Sequence, residues 1–522
     1  MPPLYLGLDV GTQGVKAVVY DSKLKQIVGR GAQPWAILES TVPGRAEQHP
    51  KTWVEGTIAA AKQALSAVDR SAVKAVAVSG QQHGMVALAA DGSVLRPAKL
   101  WCDTESAPEA AELSQKLGYT VVPSFTSTKL LWLQRHEPEV WSRLAAVLLP
   151  HDYMNYWLTG KQVTEAGDAS GTGLLDVAQR CWDARLAAMI DDKLAGCLQR
   201  IIGPDEVSVC IVSIFVTQCT LAALIDDKLA ACLPRIIGPD ESVGTVLPEV
   251  ADLLGLGHDV VVAPGSGDNA MSALGSGITQ PGELVVSLGT SATLFGVSGQ
   301  PIIDPSCAVC PFCDATGAWL PLICTLNCTV PAEEVITAFG ISHEQATALA
   351  EKEPAGSGGV SFLPYLVGER TPNWPDSSGA VVGLRPGLLK PGVLYRAALE
   401  GATLSLAAAL SRATDLGLVP KELRLVGGGS KNALWRQIVA DVFQLPVKLP
   451  LEAESAALGA ALQAAAVHSG VPVGAYVQQN QPPISEQVVQ PNPANKQAYE
   501  EALQRHMQRG QRLFAPQQQQ QQ

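Results

Sequence analysis

Leu4–Tyr20 reads LYLGLDVGTQGVKAVVY. An apolar run, Leu4–Val10, ends in the turn Gly11-Thr12-Gln13-Gly14, and Val15–Tyr20 resumes the strand pattern. Such runs on both sides of a glycine turn predict two strands around a tight loop. The unit returns far down the chain as Leu284–Val297, LVVSLGTSATLFGV, with Gly289-Thr290-Ser291 as its turn. Two strand–Gly-Thr–strand hairpins predict two related domains, each offering one loop to a shared cleft.

Between and beyond the hairpins, strands and helices alternate, which predicts an α/β protein. Ala75–Ser79 is a strand run that ends at Gly80-Gln81-Gln82-His83-Gly84. Pro50–Ala67 reads as a helix with Trp53, Ile58 and Leu65 among its apolar positions. Asp259–Ala263 runs into Pro264-Gly265-Ser266-Gly267-Asp268-Asn269, where a helix of small residues begins. Glu422–Val426 runs into Gly427-Gly428-Gly429-Ser430, followed by the amphipathic stretch Asn432–Phe443. A chain of 522 residues exceeds one ordinary core. We divide it at 4–276, 282–466 and a Gln- and Pro-rich tail, 467–522, with one helix over Lys496–Leu513 and disordered terminal glutamines.

A formal charge of −12 argues against a nucleic-acid partner, which would demand a basic footprint. The N-terminus has no basic leader, and no apolar run reaches membrane-spanning length, so the cytosol is the expected compartment. Cys307, Cys310, Cys313, Cys324 and Cys328 lie close together in sequence. That spacing could suggest a zinc or iron–sulfur site, but we read the five as small, buried, reduced hydrophobes. No histidine or second tight pair completes a familiar metal pattern.

One feature breaks the two-domain plan. Leu186–Glu206 recurs as Leu221–Glu241, differing only at Met189/Leu224, Gly196/Ala231 and Gln199/Pro234. Two copies cannot make a solenoid. The spacer Val207–Thr220, VSVCIVSIFVTQCT, is uncharged and β-prone. We expect a recent duplication, such as two alternative exons read together, and otherwise a surface excursion. Sequencing the mature transcript separates these, because alternative exons would leave one copy out of each message.

Several residues have the chemistry of a phosphate and hydroxyl site. Gly-Thr between strands lets backbone N–H groups approach a phosphate, and Thr12 and Thr290 add hydroxyls. Asp9 ends an apolar strand and needs a partner, either magnesium on nucleotide phosphates or backbone amides. Asp268 follows a strand and precedes a helix, where it serves either as a general base or as a helix N-cap. Asn269, Gln81, Gln82 and His83 offer donors and acceptors to a polyhydroxylated ligand, or cap their own turns. Gly427-Gly428-Gly429 before a helix resembles a nucleotide loop without matching the Walker or dinucleotide patterns.

Together these segments resemble the FGGY carbohydrate kinases over Leu4 to about Ala466. LGLDVGTQGVK and SLGTS resemble the family's two phosphate motifs, and LVGGGSKN its adenosine motif. SFTSTKLLWLQRH (Ser124–His136) is similar to the first family signature. Gly379–Glu400 is similar to the second, with Val393 where a polar residue is usual. LPYLVGERTP (Leu363–Pro372), LLPHDYMNYWLTG (Leu148–Gly160) and GDASGT (Gly167–Thr172) also resemble family segments.

The resemblance implies two actin/Hsp70/hexokinase-like (ribonuclease H-like) α/β domains flanking a cleft, with sugar mainly on the first and ATP mainly on the second. It implies Asp268 as general base, Asn269, Gln82 and His83 on the sugar, and Asp9 near Mg2+. Thr12, Gly289 and Thr290 match phosphate-loop positions, and Gly428, Gly429 and Asn432 match nucleotide contacts. Ser266 replaces a usual glycine. Asp103 in LWCDTES and Asp168 match pocket walls. The implied reaction transfers a phosphoryl group from ATP to the 5-hydroxyl of D-xylulose. D-ribulose or another pentulose or polyol is the alternative substrate, and a catalytically inactive sugar-binding regulator is the alternative of another class. The implied partners are small molecules only, without nucleic acid or membrane, in a chain that could form a homodimer.

Overall fold

The computed structural model describes residues 2–183, 190 and 232–515. The spacer Val207–Thr220, most of both near-repeat copies and the terminal glutamines lie outside the described residues. The chain folds as two compact units. The first comprises Met1–Gly277, Phe312–Ala318 and Glu454–Gln481. The second comprises Ile278–Pro311, Trp319–Ala453 and Pro482–Gln522.

The first unit is built on β1 (Leu4–Val10), β2 (Gly14–Asp21), β3 (Gln26–Pro34), β4 (Val73–Gly80), β5 (Gly244–Thr245), β6 (Val261–Val262) and β7 (Ser266–Gly267). Their order is β5-β6-β4-β1-β2-β3, and β7 pairs parallel with the end of β4. β1 pairs antiparallel with β2, which pairs antiparallel with β3, while β4 runs parallel to both β1 and β6. β1 lies mid-sheet with Leu4, Leu6, Leu8 and Val10 all buried, as expected of a strand covered on both faces. Helix α1 (Pro50–Leu65) packs on β2 and β3, and α2 (Asp268–Gly275) follows β7.

The second unit repeats this plan with β8 (Glu283–Leu288), β9 (Ala292–Gly296), β10 (Leu322–Thr325), β11 (Glu422–Val426) and β12 (Val447–Lys448). Its order, β10-β9-β8-β11-β12, matches β3-β2-β1-β4-β6 strand for strand. The orientations match as well: two antiparallel pairs, then two parallel ones. The two Gly-Thr hairpins therefore occupy equivalent corners of two sheets with one topology. Helix α3 (Pro391–Asp415) fills the second unit's core and precedes α4 (Ala433–Phe443). α3 is long and apolar enough to cross a membrane, yet its apolar window is packed inside the protein. Val393 is its third residue and is buried, so the departure from the family signature is absorbed by packing.

The sequence division runs the second domain over 282–466, but the helix Ser455–Ser469 packs within the first unit, against β1, β4 and α2. Its first twelve residues, SAALGAALQAAA, are buried on every face. The contact is backbone on backbone. A Cβ on Gly7 would lie 1.9 Å from the Ala457 carbonyl oxygen. A Cβ on Gly275 would lie 1.7 Å from that of Ser455, and one on Gly459 would lie 1.9 Å from that of Met271. Small residues alone allow this approach, and it seats α2 firmly on the sheet.

Candidate active site

In the first unit, strand register collects the polar residues at one edge of the sheet. Asp9 lies opposite Ser79, and Ser79 lies opposite Ser266. The strands end together at Val10, Gly80 and Gly267, so the loops that follow open side by side at their carboxyl ends. Asp268 is the first residue of α2. Asn269 Nδ2 donates to Asp268 Oδ1 at 2.9 Å and to Gln82 Oε1 at 2.9 Å. Gln82, Asn269 and Asp268 thus form one chain of side chains. A Cβ on Gly267 would lie 2.4 Å from Gln82 Nε2, so glycine there allows the loops to close on each other.

Electrostatics set Asp268 apart from an ordinary exposed aspartate. Burial, then the negative charges of Asp9 and Asp168, push its pKa up to about 7, against backbone N–H groups at the helix start. Asp9 is also raised, chiefly by burial. The Ser79 hydroxyl, which donates to Oδ1 at 2.9 Å, and Lys16 oppose the rise, and Glu454 adds to it. Asp9 raises the cost of ionising Asp268, and neighbouring carboxylates of this kind suit a divalent cation.

His83 has a left-handed backbone (φ 64°) and packs between the rings of Phe125 and Phe312, at centroid distances of 5.7 and 5.5 Å. Asp168 is fully buried, pairs with His151 Nδ1 at 2.7 Å, and accepts the backbone N–H of His83. Burial holds its pKa well above the ordinary carboxylate range. Thr12 uses its hydroxyl internally, donating to Gln81 Oε1 at 3.0 Å and accepting from Trp101 Nε1 at 2.9 Å. Ser266, in place of the usual glycine, donates to the buried Glu165 at 2.7 Å and ties the loop down. Asp103 sits in a buried charge cluster with Lys99 Nζ at 3.2 Å and Glu105 nearby.

The second unit gathers the other residues singled out in the sequence. Gly289 and Thr290 form the β8–β9 turn, where Gly289 N–H donates to the Ser291 carbonyl at 3.0 Å. A Cβ on Gly427 (φ 86°) would collide with the backbone of Leu288, so the two loops abut. A Cβ on Gly428 would meet nothing within 4 Å, and Gly428 and Thr290 are both exposed. Exposed glycine backbone at adjoining loops is the donor set a polyphosphate needs. Asn432 caps α4, accepting from Trp435 N–H at 3.2 Å and donating to Thr347 Oγ1 at 2.9 Å. Replacing it with Ala should cost about 1 kcal/mol in denaturant unfolding, from the lost cap alone.

The structure therefore brings Asp9, Thr12, Gln82, His83, Asp268 and Asn269 to one edge of the first unit's sheet. Gly289, Thr290, Gly428, Gly429 and Asn432 come together in the second. Sequence reasoning missed Ser79, Glu165 and His151. A lone serine in a strand carries no signal, and His151 lies inside a helix that reads as ordinary. Among the described residues, no three cysteine sulfurs lie close enough together to share an ion.

The fold and this distribution of carboxylates and glycine loops suit a phosphoryl-transfer site, and the comparisons give the class. Residues 4–207 match the N-terminal domain of the FGGY family of carbohydrate kinases, and residues 284–468 match its C-terminal domain. The chain belongs to the FGGY family of carbohydrate kinases. It is 36% identical over 478 residues to a xylulose kinase of Haemophilus influenzae, covering 88% of this chain and 90% of that one. It is 39% identical over 481 residues to one of Streptomyces rubiginosus, covering 90% and 89%. The solved xylulose kinase of Bifidobacterium adolescentis superposes with a TM-score of 0.78 at 29% identity, covering 96% of this chain and 99% of that one. As a member of this family the protein is an enzyme, a carbohydrate kinase that transfers a phosphoryl group to a sugar.

Proposed function

We propose that this kinase phosphorylates D-xylulose at its 5-hydroxyl, with Asp268 as the general base. The observation that carries the reading is the position and electrostatics of Asp268. It stands at the start of α2, is joined through Asn269 to Gln82, and has its pKa raised to about 7. A base poised near the working pH can accept a hydroxyl proton during transfer and release it afterwards. Asn269, Gln82 and His83 would hold the sugar's hydroxyls, and the xylulose kinases named above support that substrate class.

The loops at Gly289–Thr290 and Gly427–Gly429 would hold the nucleotide phosphates and adenosine, with Asn432 beside them. Asp9 would hold Mg2+, since it is a buried carboxylate raised by Glu454 that itself raises Asp268, a neighbourhood that fits a cation. When bound, magnesium ATP supplies the phosphoryl group and screens its charge.

Two results follow. Sugar-dependent ADP release, measured with D-xylulose, D-ribulose, L-ribulose and glycerol, should show kcat/KM at least about tenfold higher for D-xylulose, as expected when a few side chains read one hydroxyl. A preference for D-ribulose overturns the substrate, and absent or sugar-independent turnover overturns the kinase reading in favour of a regulator. The base must be unprotonated to act. The kcat/KM for D-xylulose should therefore rise with pH through about 7 and then level off. A profile flat from pH 5.5 to 8.5 would remove Asp268 from that role.

A further inference from the structure

The cysteine cluster in the second unit contains a feature the kinase reading leaves unused. Cys307-Ala308-Val309-Cys310 places two free sulfurs 3.3 Å apart. Arg370 Nη2 lies 3.6 Å from the Cys310 sulfur. Both cysteines are held from outside. Cys310 exchanges two backbone hydrogen bonds with Leu322, at 2.8 and 2.9 Å. The Cys307 N–H donates to the Asp304 carbonyl at 2.9 Å. The Asp304 carboxylate in turn accepts from the N–H groups of Ser306 and Val309 and from Arg412. Cys307 itself has φ 55°, a left-handed conformation that an ordinary side chain rarely adopts. The turn therefore pays a local cost to hold one sulfur against the other. Pro305 and Ser306, which precede the pair in the chain, are exposed, Cys307 retains 8% exposure and Cys310 3%.

We infer that Cys307 and Cys310 form a reactive dithiol, an oxidative modification site at which small hydroperoxides convert the pair to an intramolecular disulfide. A thiolate beside a guanidinium is the activated form of a cysteine. Arg370 and Asp304 are the charged groups that act on the pair, and Cys324 acts on Arg370. The hydrogen bond from Cys307, with Arg370, lowers Cys310 to about 6, while Cys307 is raised and keeps its proton. Elsewhere burial pushes Cys313 up to about 11 and Cys328 still higher, so these thiols stay protonated.

The chemistry balances without a further reactant. The Cys310 thiolate attacks the terminal peroxide oxygen, the O–O bond breaks, and hydroxide (from hydrogen peroxide) or alkoxide (from an organic hydroperoxide) leaves, giving a sulfenic acid. The Cys307 sulfur then attacks the Cys310 sulfur. The S–S bond forms, the S–O bond breaks, and the departing hydroxide takes up the Cys307 proton as water. The two sulfurs give up two electrons to the peroxide. The 3.3 Å between the sulfurs leaves little more than 1 Å to close to the roughly 2 Å of a disulfide.

The test uses the full chain, exposed to hydrogen peroxide, quenched with N-ethylmaleimide in denaturant and mapped by peptide mass spectrometry. The first product should be a Cys307–Cys310 disulfide, two hydrogens lighter and reversed by dithiothreitol. Cys307→Ser should instead stop at a sulfenic acid on Cys310 that dimedone traps. The wild-type rate should be nearly flat from pH 7 to 9, where an ordinary thiol's would climb about tenfold or more. Arg370→Gln should slow the reaction at pH 7 several-fold. The inference is overturned if another cysteine pair oxidises first, if dimedone labels Cys310 equally with and without Cys307, or if the wild-type rate climbs with pH as for an ordinary thiol. These last readouts need no change at Arg370, so they stand even if that variant misfolds.

Discussion

Asp268→Asn should lower sugar-dependent ADP formation by about 10²–10⁴-fold and, at the same time, make the protein more stable at neutral pH. The loss follows from the proposed role, since an amide cannot accept the hydroxyl proton. The gain follows from linkage. The folded pKa of Asp268 is raised to about 7, against about 3.9 for an unfolded aspartate. Between those values the folded state holds the proton more tightly, so stability falls as pH rises from about 4 to about 7. Above that window the full penalty of a buried carboxylate beside Asp9 and Asp168 is present. Asparagine carries no charge and its Oδ1 can still accept from Asn269. The variant should therefore gain about 1–3 kcal/mol at pH 7.5, and the gain should vanish towards pH 4. Urea unfolding at both pH values, beside steady-state kinetics, checks both halves. Activity within tenfold of wild type would remove Asp268 as the base. A loss of stability at pH 7.5 would mean that the residue is structural.

Gly459→Val should destabilise the first unit by about 3 kcal/mol or more, although the substitution is far from any proposed contact with substrate. The Cβ position at Gly459 is 1.9 Å from the Met271 carbonyl oxygen and 2.9 Å from the Gly275 nitrogen. Both obstacles are backbone, so relief requires the helix Ser455–Ser469 to move away from α2. Since α2 begins at Asp268, kcat should fall with stability. Gly470 is the control. It closes the same helix with φ 67°, but its Cβ would meet nothing within 4 Å. Gly470→Ala should cost only about 1 kcal/mol, from backbone strain alone. Equal costs at the two glycines would show that the close helix contact is not what holds α2.

The two Gly-Thr hairpins were legible because strands and tight turns leave local signals: alternating or continuous apolar runs interrupted by glycine. Asp9, Asp268 and the Gly427–Gly429 loop were legible for a related reason, since each terminates such a run. The residues around them were not. Ser79 supports Asp9 only because β4 runs beside β1 in a particular register. Glu165 meets Ser266 across a hundred residues of chain, at a distance no local pattern encodes. His151 reaches Asp168 from a helix whose sequence signals only burial.

By itself, the sequence determined the fold class, the two repeated hairpins and the family, because these depend on residue order within short segments. Tertiary structure alone decided that Ser455–Ser469 belongs with the first unit, and that Gln82, Asn269 and Asp268 share one hydrogen-bonded chain. It also decided that Asp268 sits near neutrality and that Cys310 meets Arg370. The physical reason is the same in each case. Packing, desolvation and Coulomb interaction act between groups that are close in space, and closeness in space between residues far apart in the chain exists only once the sheets have formed.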